Sequence, residues 1–276
     1  MSSYFLSFAQ GDLLITPTRV IFEGRKQSES IYLVNVGKER ATYSISFIQN
    51  YQTEEGAYKR AESSENDEMF ADKYLRFYPR TVSLEPGESQ TIKLQFRRTS
   101  EMKDGEYRSH MYFRSEESYD PLGESKQDTA KTISVKLIPI YGISIPVIIR
   151  SGEVNVNATL SDFEIQNNQD AAPLLKFTIN RAGNMSVIGD LSVEYISEKG
   201  DVFEIGKLKN VAVYPNINQR FVTINLNQTN DLNLKNGKLR INYSSLFEVK
   251  NQEVFAKTEI DLTKRIEIEE NFTQKK

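Results

Sequence analysis

Residues able to carry out bond chemistry are few in this chain. His110 is the one histidine, and there is no cysteine. A serine–histidine charge network or a histidine-rich metal site would therefore rest on His110 alone. Disulfides, thiolate ligands and cysteine nucleophiles are excluded together. Carboxylates crowd between Glu54 and Asp72, but without the Asp-x-Asp-x-Asp-Gly spacing of a calcium loop, so a solvated loop is expected there. The chain carries no P-loop, dinucleotide fingerprint or Gly-x-Ser-x-Gly elbow. The expectation is a protein that is not an enzyme and needs no cofactor or metal, with His110 a half-exposed strand residue.

The remaining chemistry is that of binding. One stretch dominates it: Thr132 to Arg150, TISVKLIPIYGISIPVIIR. Ile133, Val135, Leu137, Pro139, Tyr141, Ile143, Ile145 and Val147 occupy its odd positions, and all are apolar or aromatic. Period-two alternation over this length reads as one long β-strand. Such a strand templates pairing with another chain unless it is covered. Pro139 lacks a ladder donor and favours an edge position. The segment from Tyr141 onward is expected to be interior. The earlier part, with Ile133, Val135 and Leu137, either packs in its own core or is offered to a partner.

The elements around that strand read as all-β. Leu13 to Phe22 is a first strand broken by Pro17. Ser30 to Val36 and Ala41 to Ile48 alternate, as do Tyr74 to Tyr78, Thr81 to Leu84, Ile92 to Phe96 and Glu106 to Arg114. Glu85-Pro86-Gly87-Glu88 suits a type II turn. Gln49 to Lys73 is expected to be a long polar loop with a helical turn near Met69-Phe70. After Ser151-Gly152 some seven further short strands follow, between Val154 and Leu262. The fold expected is two immunoglobulin-like β-sandwich domains in tandem. They would cover residues 11–150 and 151–263. A signal-peptide remnant is expected at residues 1–10 and a loose, charged tail at 264–276.

Charge and size agree with a binding protein. The 276 residues suit two domains. With 35 Lys and Arg against 38 Asp and Glu, net charge is -3, which provides no overall basic field for nucleic acid or an anionic membrane. No run approaches the length of a membrane-spanning helix.

Four features in order resemble the periplasmic chaperones of the chaperone–usher pilus pathway. Thr18-Arg19-Val20-Ile21-Phe22-Glu23-Gly24 looks like that family's first-strand signature. Leu84-Glu85-Pro86-Gly87 looks like its Leu-x-Pro-Gly turn. Glu106 to Arg114 resembles its penultimate strand, and Ile133 to Pro146 its last strand with the closing Pro. The resemblance covers roughly residues 13–150, in a divergent branch. It implies a periplasmic chaperone that caps incomplete pilin-like subunits by lending its last strand, with an outer-membrane usher as a further partner. Ile133, Val135 and Leu137 would fill the client's groove. Arg19 matches the arginine that anchors the client's C-terminal carboxylate. The basic partner expected on the last strand falls on or near Tyr141 instead, and Lys136 takes that role only after a register shift. Two other readings stand beside this one: a structural or adhesive envelope module, and a carbohydrate-binding module rich in tyrosine but lacking tryptophan.

Overall fold

The computed structural model describes residues 12–62, 69–116, 140–167, 172–227, 234, 236–246, 253–263 and 268–270. They form an all-β protein of two β-sandwiches. One compact unit takes residues up to Gln49, Glu62–Lys103 and Tyr107–Ser151. The other takes Asn50–Ala61, Asp104–Glu106 and the chain from Gly152.

In the first unit the strands are β1 (Leu13–Thr16), β2 (Val20–Phe22), β3 (Ser28–Asn35), β4 (Ala41–Ile48), β7 (Leu75–Tyr78), β8 (Thr81–Leu84), β9 (Ser89–Phe96), β10 (Gly105–Glu116) and β11 (Gly142–Ser151). One sheet has the order β1-β3-β9-β7 and the other β2-β11-β10-β4-β8. The first strand read from the sequence is thus two strands in two sheets. Pro17 has no backbone N–H to continue a ladder, and the chain crosses from one sheet to the other between Thr16 and Val20. Alternation sets the core. Ile31 and Leu33, Ile92 and Leu94, and Met111 and Phe113 are all at most 1% exposed.

The Pro86-Gly87 turn forms as read. Gly87 has φ +76°, which only glycine adopts without strain. The turn docks on buried Asn35, whose backbone accepts from Gly87 and donates to Glu88. The Asn35 amide donates to Leu84 O at 3.0 Å and to Glu39 O at 2.8 Å.

Two expectations for residues before Ser151 are corrected. Residues 49–73 are not simply a polar loop. β5 (Asn50–Gln52) and β6 (Tyr58–Arg60) form a hairpin, and the helical turn is a 3-10 turn at Asp72–Tyr74 rather than at Met69-Phe70. Alternation is short there, so the sequence conceals the hairpin. His110 is buried, at 4% exposure, not half-exposed. Both faces of the first part of β10 are covered, which single-strand periodicity cannot reveal.

The second unit holds β12 (Val156–Asn167), β13 (Leu174–Gly183), β14 (Val187–Ile196), β15 (Val202–Val213), β16 (Gln219–Asn225), β17 (Lys238–Ser244), β18 (Val254–Asp261) and β19 (Ile268–Glu270). Its sheets are β16-β13-β12-β19 and β15-β14-β17-β18. The segment read as a loose tail supplies β19, which pairs parallel to β12 with Ile165 opposite Ile268. Three residues are too few to show a period.

The hairpin β5–β6 belongs to this unit. Glu54 O accepts from Phe221 N at 2.7 Å. The Gln52 side chain accepts from Tyr214 N at 2.9 Å, and the Tyr58 and Tyr214 rings meet at 5.6 Å. Phe221 N lies on the edge strand β16, so the hairpin satisfies part of an edge that would otherwise invite pairing.

Arg181, near the end of β13, is a buried charge of the second unit. It is 5% exposed. Its N–H groups donate to the carbonyls of Ile217, Gly183, Met185 and Pro215 and to Asn218 Oδ1, at 2.7 to 3.1 Å. All five guanidinium donors are used. Burial pushes its pKa down, and the charge of Glu106 opposes that shift. Glu106, 1% exposed, in turn accepts from Ser186 N at 3.0 Å and Ser186 Oγ at 2.7 Å.

Candidate functional site

The end of the first unit that matters is the start of β11. Its described part begins at Ile140, and the strand itself at Gly142. Ile133, Val135, Leu137 and Lys136 lie outside the described residues, so their placement stays an expectation. Tyr141 is not interior: it is 52% exposed, beside Ile140 at 49%. Burial sets in at Ile145, with Ile143 only partly covered against the core. The apolar alternation is continuous through this stretch, but burial is not.

One flank of this strand start is fastened. Ser115, on β10, donates its backbone N–H to Tyr141 O at 2.8 Å. The Ser115 hydroxyl donates to the same oxygen at 3.0 Å and accepts from Tyr141 N at 2.9 Å. Gly142 packs beneath the Tyr112 phenol, and a Cβ at this position would stand 2.1 Å from the Tyr112 hydroxyl.

The other flank is only partly paired among the described residues. β2 is the neighbour of β11 on that side, running parallel, with Val147 opposite Val20, Ile148 opposite Ile21 and Ile149 opposite Phe22. Those three pairs cover a part of a ten-residue strand. Upstream of Val20 the chain has crossed to the other sheet at Pro17. Among the described residues nothing pairs with Gly142–Pro146 on this side. The result is a lane one strand wide and about five residues (some 16 Å) long, in line with β2, that none of the described residues occupies.

Arg19 stands at the closed end of that lane. It directly precedes Val20, so its register position is opposite Pro146. It is half-buried. The last-strand cation nearest to it in sequence, Arg150, is at the far end of β2, where its Nη1 meets Glu23 Oε2 at 3.0 Å. Four residues of extended chain separate Arg19 from Glu23, about 13 Å. Arg150 therefore serves an ion pair of its own and does not substitute for the basic residue missing at Tyr141.

On the opposite face of this sheet from Tyr107, Met111 and Phe113 lie Arg108 and His110, both buried. Burial, with the Arg108 charge second, pushes the His110 pKa down to about 4, so the imidazole is neutral at physiological pH. No group of His, Cys, Asp or Glu able to hold a metal occurs among the described residues. No helix among them is long and apolar enough to cross a membrane.

The sequence pointed to Arg19 and to the strand. It did not show the lane, which exists because Pro17 diverts β1; the Thr-Pro-Thr-Arg run at Thr16–Arg19 was the available signal. Fold and edge together describe a two-sandwich β protein in which, among the described residues, one strand position beside β11 is unfilled. No family model matches the chain, and no curated protein matches it in sequence.

In structure the chain is similar to chaperones of pilus assembly. Against the YadV chaperone identity is 14% and TM-score 0.47, over 90% of this chain and 100% of that one. Against the CupB2 chaperone of Pseudomonas aeruginosa the values are 10% and 0.44, over 88% and 99%. Against the structure of the CsuC–CsuE chaperone–tip adhesion subunit complex of Acinetobacter baumannii they are 15% and 0.47, over 90% and 97%.

Proposed function

We propose that this protein is a periplasmic chaperone for pilus or surface-fibre subunits, which binds an incomplete client along the partly paired flank of β11. The observation that carries the reading is the lane ending at Arg19. A strand lying there continues the line of β2. Running parallel to β11, it brings its C-terminal end to Arg19. An arginine can hold a terminal carboxylate by paired hydrogen bonds. Backbone pairing along the lane supplies affinity that tolerates many client sequences.

Ile133, Val135 and Leu137 are in phase with Ile143 and Ile145 in the sequence, and a strand continued upstream would carry them in the same row. Lent to a client's groove, each contributes about 1.5–3 kcal/mol on burial. Lys136 is the remaining candidate for a second carboxylate contact. An outer-membrane usher would receive the loaded chaperone. The resemblance of residues 13–150 to that family supports this reading independently of the lane.

The test is capture of fibre subunits from a periplasmic extract by the tagged chain. Val135→Glu and Leu137→Glu, which place a charge on the lent row, are expected to abolish capture. Arg19→Ala is expected to weaken it, and to do so only for clients with a free C-terminal carboxylate. Normal capture by all three variants would overturn the proposal. So would fractionation of the protein with the envelope instead of the soluble periplasm.

A further inference from the structure

The other sheet of the first unit carries a cationic groove, in a protein whose net charge is -3. At one end of the sheet β1-β3-β9-β7 a groove of about 630 Å³ is lined by Ser28, Arg76, Gln95, Arg97 and Arg98, with Gln27 and Phe96 completing it. That volume is within the ordinary range of ligand sites. Ser28, Gln95 and Arg76 form one row across three strands, since Gln95 pairs with Ser28 on one side and Arg76 on the other.

Two of the guanidiniums are held in place. Arg76 Nη1 donates to Leu75 O at 2.8 Å, and Arg98 Nη2 donates to Gly24 O at 3.1 Å while its guanidinium stands over the Phe96 ring. Each of these bonds uses one donor of five. Among the described residues no carboxylate forms an ion pair with Arg76, Arg97 or Arg98.

The same outward face continues from the groove. The next row holds Ser30, Lys93 and Tyr78, and the row after it Tyr32 and Thr91. Tyr78 is 77% exposed and Tyr32 52%. Their Cα atoms are two strands and one side-chain repeat apart, about 12 Å. An exposed face thus presents two phenol rings, several hydroxyls and amides, and four cations, of which Lys93 also lies near the Glu29 carboxylate.

We propose that this face binds an acidic polysaccharide. Its uronate or sulfate groups would sit in the groove against Arg76, Arg97 and Arg98, and its sugar rings would lie on Tyr78 and Tyr32. An acidic peptide is disfavoured because the cations sit on the face of the sheet, whereas an extended peptide gains its main-chain bonds along an edge. The site is remote in the fold from the lane at β11, in the opposite sheet, and does not depend on the chaperone reading.

Titration of the full chain with oligogalacturonate, dextran sulfate, neutral dextran and poly-glutamate tests the proposal. Saturable binding is expected with the first two and none with neutral dextran. It should weaken as salt is raised, because exposed charges are screened. Arg76→Ala and Arg98→Ala should each weaken it about tenfold, and Tyr78→Ala should weaken it without changing the salt dependence. All three side chains are exposed, so thermal unfolding of the variants should match the parent. Equal binding by the parent and the Arg76→Ala/Arg98→Ala double variant would overturn the proposal. Binding of poly-glutamate as tight as that of oligogalacturonate, indifferent to Tyr78→Ala, would overturn it in favour of an acidic peptide.

Discussion

Replacing Arg181 by Met removes the guanidinium and keeps most of the side chain's volume. Four backbone carbonyls and Asn218 Oδ1 lose their donors at once. An abandoned buried acceptor costs about 1–3 kcal/mol. Some regain water, since the turn Pro215–Asn218 is partly exposed. Glu106, which raises the Arg181 pKa by its charge, is left buried beside an uncharged methionine. Against these losses stands the desolvation that Arg181 no longer has to bear. Five acceptors left without Arg181, with part of the loss returned by water and by the relieved desolvation, cost about 3–5 kcal/mol in all. With a urea slope of about 2 kcal/mol/M for a sandwich of this size, the unfolding midpoint of the second unit should fall by roughly 2 M. Glu106→Gln should lower it less, since Ser186 N and Oγ can still donate to the amide oxygen. The double variant should then lose less than the two single losses together, because the same charge is no longer stranded. Urea unfolding followed by circular dichroism measures all three. A shift under about 0.5 M for Arg181→Met, or strict additivity in the cycle, would refute the idea that this arginine organises the unit.

Three further outcomes follow from particular residues. The pKa of His110 is depressed from 6.5 to about 4, so the unfolded chain takes up a proton there before the folded one does. The stability associated with the neutral ring is complete above about pH 6.5 and is lost as pH falls toward 4, by at most about 3 kcal/mol. His110→Gln should flatten the urea midpoint across that window. Gly56 has φ +85°, and a Cβ on it would approach Arg220 Nη2 at 2.5 Å. Gly56→Ala should cost about 1–2 kcal/mol through strain and displacement, read as faster proteolysis within residues 50–61. Gly87→Ala meets nothing within 4 Å but keeps φ +76°. It should cost about 1 kcal/mol from backbone strain alone, seen as a small midpoint shift with client capture unchanged.

The sequence by itself determined the fold class, because a period of two, repeated in short runs between Gly, Pro and Asn turns, leaves a β-sandwich as the way to bury one face of each strand. It also determined the break at Pro17, the tight turn at Gly87 and the candidacy of Arg19. These depend on single residue types or near neighbours, which a linear reading can see. Only the tertiary structure decided what those features amount to. The crossing at Pro17 opens a strand position because β2 resumes in the other sheet, beside β11. His110 is buried because both faces of β10 are covered, while Tyr141, in phase with the buried Ile145, stays exposed. Arg76 gathers with Arg97 and Arg98 because β7 and β9 pair in one register, which puts side chains some 20 residues apart in sequence on one row. Hydrophobic pattern encodes which face of a strand turns inward; it does not encode which strands are neighbours, and the lane and the groove are both made by neighbours.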